Sequence, residues 1–222
     1  MTEPDFLTTT RAFYDAIAVD YADRFRDELA GEPLSRAVLA AFADLVRAES
    51  ARTGRADGPV AELGCGPGRV THHLHGLGLD VRGIDLSPRM VELARATYPG
   101  LDFAEGSLFD LPLRDGELTG AVAWYSIIHT PAERLPEVFA EFARVLAPGG
   151  HLLLAFQVGD EPLRIDQPFG HPVTLDFRRQ QPDRIAELVR AAGLRLTSRT
   201  LREPEEGVQP TPQAYLLARK PA

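Results

Sequence analysis

Apolar positions in the first quarter of the chain recur at helical spacing. Over residues 5–28, Phe6, Phe13, Ile17, Tyr21 and Phe25 share one helix face, and Gly31 and Pro33 punctuate its end. Residues 34–49 repeat the pattern through Val38, Leu39, Phe42, Leu45 and Val46, and the polar stretch 50–59, with Gly54 and Gly58, reads as a surface linker. The period then changes. Short apolar runs at 60–63, 79–84, 101–104, 118–124 and 151–156 alternate with helical stretches at 69–77, 88–98 and 133–146, as in a parallel sheet wrapped by helices. An amphipathic helix over 182–192 stops at Gly193, and strand patterns at 194–201 and 214–218 form a terminal hairpin. The sum is an α/β fold in one domain, 1–222: a doubly wound, seven-stranded, mostly parallel sheet with an antiparallel C-terminal strand. Residues 158–181 show no clear period, and their length exceeds what a compact domain normally leaves structureless, so they are expected as a lid or substrate-loop insertion.

Composition narrows the function. With 44% hydrophobic and 25% charged residues the chain can bury a core, and its formal net charge of -8 argues against a nucleic-acid partner. The pairs Arg24/Arg26 and Arg178/Arg179 read as solvated faces. Residues 1–7 contain Glu3 and Asp5 and lack a basic, then apolar, leader; no apolar run approaches the ~20 residues of a membrane helix. These features predict a cytoplasmic protein without a membrane partner, a monomer or homodimer. Cys65 is the single cysteine, which rules out an internal disulfide and a thiolate metal cage within one chain. His72, His73 and His75 cluster on a helix but no local carboxylate completes a set, so no metal is expected.

The strongest chemical signal is the run Glu62-Leu63-Gly64-Cys65-Gly66-Pro67-Gly68, where an apolar strand meets three alternating glycines and then a helix. Such a loop lets backbone amides approach a ligand closely at the carboxyl end of a strand. The spacing departs from the dinucleotide fingerprint, and the Glu62 carboxylate would repel a diphosphate, which disfavours a nicotinamide-dependent oxidoreductase and favours a cationic or zwitterionic ligand. Asp85 follows Gly64 by 21 positions at the tip of the second strand, placed to accept hydrogen bonds from ribose hydroxyls. Ser87 before Pro88 is a better helix cap than Asp85.

Four ordered motifs carry a family resemblance: the glycine run, Gly83-Ile84-Asp85-Leu86-Ser87, Glu105-Gly106-Ser107 with Leu111-Pro112-Leu113, and Arg144-Val145-Leu146-Ala147-Pro148-Gly149-Gly150. On these the chain resembles the class I S-adenosylmethionine-dependent methyltransferases of the small-molecule group. The resemblance implies S-adenosylmethionine as cofactor, S-adenosylhomocysteine as product, and methyl transfer to an oxygen or nitrogen, less readily a carbon or sulfur, of a small-molecule acceptor. It implies that Gly64, Cys65 and Gly66 floor the cofactor, Glu62 faces its ammonium, Asp85 holds the ribose, and Leu86 and Met90 pack on adenine. Gly106 is followed by Ser107 and Leu108 where relatives carry an acid, so their backbone amides are the candidates for the base edge. Tyr125 is expected at the methionine end. Tyr14 and Tyr21, in the helices over residues 1–50, are expected to close over the cofactor; core packing is the other reading of both. His129 and His171 are the candidate bases for an oxygen acceptor, with a packing histidine and a surface turn as the plainer readings. Phe156, Phe169 and Phe177 point to an apolar or aromatic acceptor, or equally to a hydrophobic lid. A noncatalytic protein that binds the nucleoside as a regulator is the alternative function.

Overall fold

The computed structural model describes residues 5–54, 58–205 and 209–222. Glu3, part of the 50–59 linker and Glu206 lie outside the described residues. The chain opens with α1 (Asp5–Arg24) and α2 (Pro33–Thr53), joined by a short 3-10 turn at Glu28–Gly31 where a continuous helix to residue 28 was expected. Alternation follows: β1 (Val60–Leu63), α3 (Arg69–Gly76), β2 (Val81–Asp85), α4 (Pro88–Thr97), β3 (Asp102–Glu105), β4 (Leu118–Trp124), α5 (Leu135–Val145) and β5 (Leu146–Gln157). After β6 (Leu163–Asp166) and β7 (Thr174–Phe177), α6 (Pro182–Ala191), β8 (Arg195–Arg202) and β9 (Gln213–Arg219) complete the chain.

Seven strands form one sheet in the order β3-β2-β1-β4-β5-β9-β8, and β9 alone runs against the others, paired antiparallel with both β5 and β8. β4 at the centre is apolar along almost its whole length because helices cover both faces, as a parallel sheet requires. On one face Phe139 and Phe142 of α5 pack with Ile185 and Val189 of α6; on the other, Leu39, Phe42 and Val46 of α2 meet Leu74 of α3. Gly120 in β4 permits that second contact: a Cβ there would sit 2.8 Å from both Phe42 and Val46.

Residues 158–181, where no period is legible in the sequence, contain two short strands. β6 and β7 form a separate antiparallel hairpin in which Leu163 faces Phe177 and Ile165 faces Leu175. Ile165, Leu175 and Phe177 pack on Phe13 and Ile17 of α1, while Thr174 donates a 2.8 Å hydrogen bond to Asp166 on the polar side. The alternation is present in the sequence, but four residues per strand are too few to distinguish it from a loop.

α1 is tied down at its middle and near its C-terminal end. Ser87 Oγ, at the start of α4, donates to Asp15 (2.5 Å), and the Arg89 amide donates to the same oxygen (3.2 Å). Further along, His171 of the hairpin connection meets Asp20 at 2.8 Å.

Candidate functional site

The strand order reverses between β1 and β4, and the carboxyl ends on either side of such a switch point are where open α/β sheets bind ligands. A cavity of about 280 Å³ lies there, roofed by α1 and lined by 14 of the 15 residues singled out from the sequence.

The glycine loop after β1 forms its floor. Gly64, Gly66 and Gly68 all take positive φ (80°, 52° and 84°), the left-handed region that a side chain disfavours. A Cβ on Gly64 would come within 2.3 Å of Ser126 Cβ, whereas the space above Gly66 is open. The Gly64 and Cys65 amides donate to the Ile84 carbonyl (2.7 and 3.0 Å), locking the loop to the end of β2. Cys65 is buried against Gly83 and Phe103, and burial pushes its thiol pKa up, so it is a packing residue of the floor.

Asp85 organises the adjoining wall. Its carboxylate accepts from the Gly66 amide (2.7 Å) and the Ser87 amide (2.9 Å), so it holds the loop while facing the cavity; burial raises its pKa against these hydrogen bonds. The cap of α4 is Ser87, which accepts from the Met90 amide at 3.1 Å. Leu86, Met90, Gly106, Ser107 and Leu108 line the same end, with Met90 only 1% exposed.

Glu62 is 2% exposed, and burial pushes its pKa up to about 8 despite the Thr71 hydroxyl that donates to it. A neutral acid in this position becomes a carboxylate when a cation is brought beside it. Nearby Arg69 donates to Glu28 (2.7 Å), while its Nε is buried without a partner among the described residues. A buried acid and a part-satisfied guanidinium beside one glycine loop match the ammonium and carboxylate of a zwitterionic amino-acid moiety.

At the other side, Tyr125 adopts φ 55°, unusual for a non-glycine residue, with its amide donating to the Ala155 carbonyl at 2.9 Å. Tyr14 and Tyr21 pack edge to face beneath the roof, with ring centroids 5.8 Å apart. The Asp176 carbonyl lies 3.5 Å from His129 Nδ1 and can only accept, which places the proton on Nδ1; Nε2 therefore accepts from the Tyr14 hydroxyl at 2.8 Å. Burial lowers the His129 pKa to about 4, so the ring is neutral across the physiological range.

His171 is the exception among the singled-out residues. It lies outside the cavity, held by Asp20, because the hairpin turns it along α1 and away from the sheet. Of the three phenylalanines, Phe177 lines the cavity, Phe156 is wholly buried in the core, and Phe169 is exposed on the hairpin turn. His72 stacks on Tyr98 at 4.5 Å, and among the described residues no group of three or more histidines, cysteines or acids could hold a metal ion. Among the same residues no helix is long and apolar enough to cross a membrane.

Sequence reasoning missed Arg69, Arg11, Phe109, Arg202 and Gln213, which also line the cavity. Arg69 directly follows the glycine run and had a local signal; Arg202 and Gln213 come from the C-terminal hairpin and had none beyond their place at strand ends.

Fold and site together define a Rossmann-like α/β protein with an acid-lined nucleoside-sized cleft at its switch point. Residues 60–150 match the family model described as a methyltransferase domain. The chain is 38% identical over 107 residues to an uncharacterized methyltransferase of Mycobacterium tuberculosis, covering 47% of this chain and 42% of that protein. It is 35% identical over 126 residues to the O-methyltransferase cnsE of Penicillium expansum, covering 53% of this chain and 45% of that protein. The chain thus spans less than half the length of these curated relatives. Among solved structures, the complex of DhpI with S-adenosylhomocysteine superposes with a TM-score of 0.70 at 24% identity over 99% of both chains, which shows that the two share a fold.

Proposed function

We propose that this protein is a cytoplasmic S-adenosylmethionine-dependent methyltransferase that alkylates an oxygen or nitrogen of a small molecule, working as a monomer or homodimer without nucleic acid. The observation that carries the reading is the buried Glu62 at the glycine loop, a neutral acid waiting for a cation. Asp85 supports it as the ribose acceptor at the tip of β2, and Arg69 as the partner of the amino-acid carboxylate. Leu86, Met90, Gly106, Ser107 and Leu108, which line the same end of the cavity, are assigned to the adenine ring. Matches to methyltransferases along 60–150 point the same way.

When bound, the sulfonium supplies an electrophilic methyl: an acceptor lone pair forms the new bond as the C–S bond breaks, its electrons passing to sulfur to leave a neutral thioether. The chain's own task is to position the acceptor, exclude water and take one proton. α1 and the β6–β7 hairpin serve as the cover, with residues 1–50 and 158–181 acting as parts of one domain. The Tyr14 hydroxyl meets the acceptor, and His129 behind it receives the proton through Nε2. For an oxygen acceptor a neutral imidazole of low basicity is sufficient, because the oxonium formed on gaining a methyl is strongly acidic.

Calorimetric titration tests the reading. Saturable binding of S-adenosylhomocysteine without binding of NAD is expected; no heat with either form of the sulfur nucleoside, or tight binding of NAD, overturns it. For an identified oxygen acceptor, His129→Ala is expected to slow turnover by roughly 100-fold or more, with a smaller effect on an amine acceptor. Binding without turnover of any acceptor would favour the regulatory alternative.

A further inference from the structure

The cavity does not end at the glycine loop. Strand register sets Arg202 of β8, Gln213 of β9 and Gln157 of β5 side by side across three neighbouring strands, at the same end of the sheet that carries the glycine loop. All three line the cavity. Gln213 is 1% exposed; its Nε2 donates to the Thr211 carbonyl (2.7 Å), and its Oε1 is buried with no partner among the described residues. An amide oxygen desolvated in this way costs free energy until a donor reaches it.

The charge at this end is already matched. Arg202 is bonded to Glu32 at the start of α2 and lies 3.9 Å from the exposed Glu205, so its cation is matched within the protein and offers a ligand no free positive charge. Its neighbouring wall is aromatic: Trp124 and Tyr125 follow one another at the end of β4, with Trp124 set 5.5 Å from Tyr215 of β9. Flat apolar walls beside an unpaired acceptor select a flat ring that donates a hydrogen bond.

We infer that this second compartment, built on the row Arg202–Gln213–Gln157 and walled by Trp124 and Tyr125, binds the methyl acceptor, and that the acceptor is an uncharged aromatic or heteroaromatic ring bearing an N–H or O–H that donates to Gln213 Oε1. This rests on the methyltransferase reading for the word acceptor, but the compartment and its ligand class stand on the row itself.

Trp124 is the single tryptophan of the chain and reports from inside the compartment. Its fluorescence is followed during titration with uracil, a flat ring with two N–H donors, and with 1,3-dimethyluracil, which has none. Both titrations are run with and without saturating S-adenosylhomocysteine. Saturable quenching by uracil is expected, at least tenfold tighter than by the dimethyl compound. Gln213→Leu is expected to erase that preference while S-adenosylhomocysteine affinity stays within twofold, and Gln213→Glu, which keeps an acceptor oxygen, to retain part of it. Equal quenching by the two rings, no saturable quenching by uracil, or a preference that survives Gln213→Leu overturns the inference. Failure of S-adenosylhomocysteine to bind overturns the methyltransferase reading instead, and the uracil preference in the nucleoside-free protein then still decides the compartment. Circular dichroism of each variant confirms folding before it is titrated.

Discussion

The floor and the roof of the cavity are built in opposite ways. The floor is backbone: three left-handed glycines, two amides donating to the Ile84 carbonyl, and a third amide on Asp85, all within one strand-turn-helix unit and its neighbour. The roof is side chain: α1 lies on the hairpin through Phe13, Ile17, Leu175 and Phe177, and is pinned by Asp15 to Ser87, Tyr14 to His129 and Asp20 to His171. A floor made of main chain tolerates almost no change of residue at its glycines, whereas a roof made of separate side-chain contacts can lose one and keep the rest. Binding chemistry that must be held rigidly sits in the first, and chemistry that must admit a substrate sits under the second.

The sharpest way to break the floor is Gly64→Ala. The new methyl would meet Ser126 at 2.3 Å and force a side chain into φ 80°, so a loss on the order of 3 kcal/mol is expected from overpacking and strain together. Chemical denaturation measures it, and an unchanged midpoint would show that the loop yields more easily than its contacts imply.

Glu62→Gln acts on the floor without disturbing its shape. The folded carboxyl titrates near 8 against an ordinary 4.5, so over that interval the native protein keeps a proton that the unfolded chain has lost. Its stability therefore falls as pH rises from about 4.5 to about 8 and levels off above the folded pKa. Removing the ionisable group should flatten this decline and raise the melting temperature above pH 8 by several degrees, about 2–4 °C for each kcal/mol relieved in a chain of this size. Affinity for S-adenosylmethionine should fall at least tenfold in the same variant. Melting curves that keep their slope with pH would refute the assignment.

Roof changes are expected to be milder. Tyr14→Phe removes one hydrogen bond to His129 and should cost about 1 kcal/mol of stability, read by denaturant midpoint, with turnover falling further than cofactor affinity. Smallest of all is His171→Ala. The Asp20 pair is partly exposed and is worth less than about 1 kcal/mol; nucleoside binding and turnover should not change, and a loss of turnover would return His171 to the reaction.

The same contrast explains what could be read from the chain. Glu62, the glycines and Asp85 were legible because their requirement is local: a tight turn, an open backbone and an acid at a fixed spacing. Parallel strands and most helices were legible from period, and the reversed β9 from the terminal hairpin. The β6–β7 hairpin was not, since Leu163-Arg164-Ile165-Asp166 alternates for only four residues and its apolar side finds its partner on α1, some 150 positions earlier. His171 and His129 looked alike as titratable groups near expected loops; only tertiary contacts, Asp20 for one and Tyr14 for the other, separate an exposed tether from a cavity wall. Gln213 joined the site through strand register, which no short motif encodes.

Because Glu62 enters the empty cleft carrying a proton, capture of a sulfonium or ammonium would expel that proton to solvent below pH 8. The heat of association would then vary with the ionisation enthalpy of the buffer, and the slope of that dependence would count the protons released. Substrate and product both carry the ammonium that Glu62 faces, so both should release the proton, and the lost sulfonium charge should show only as a small difference between the two slopes.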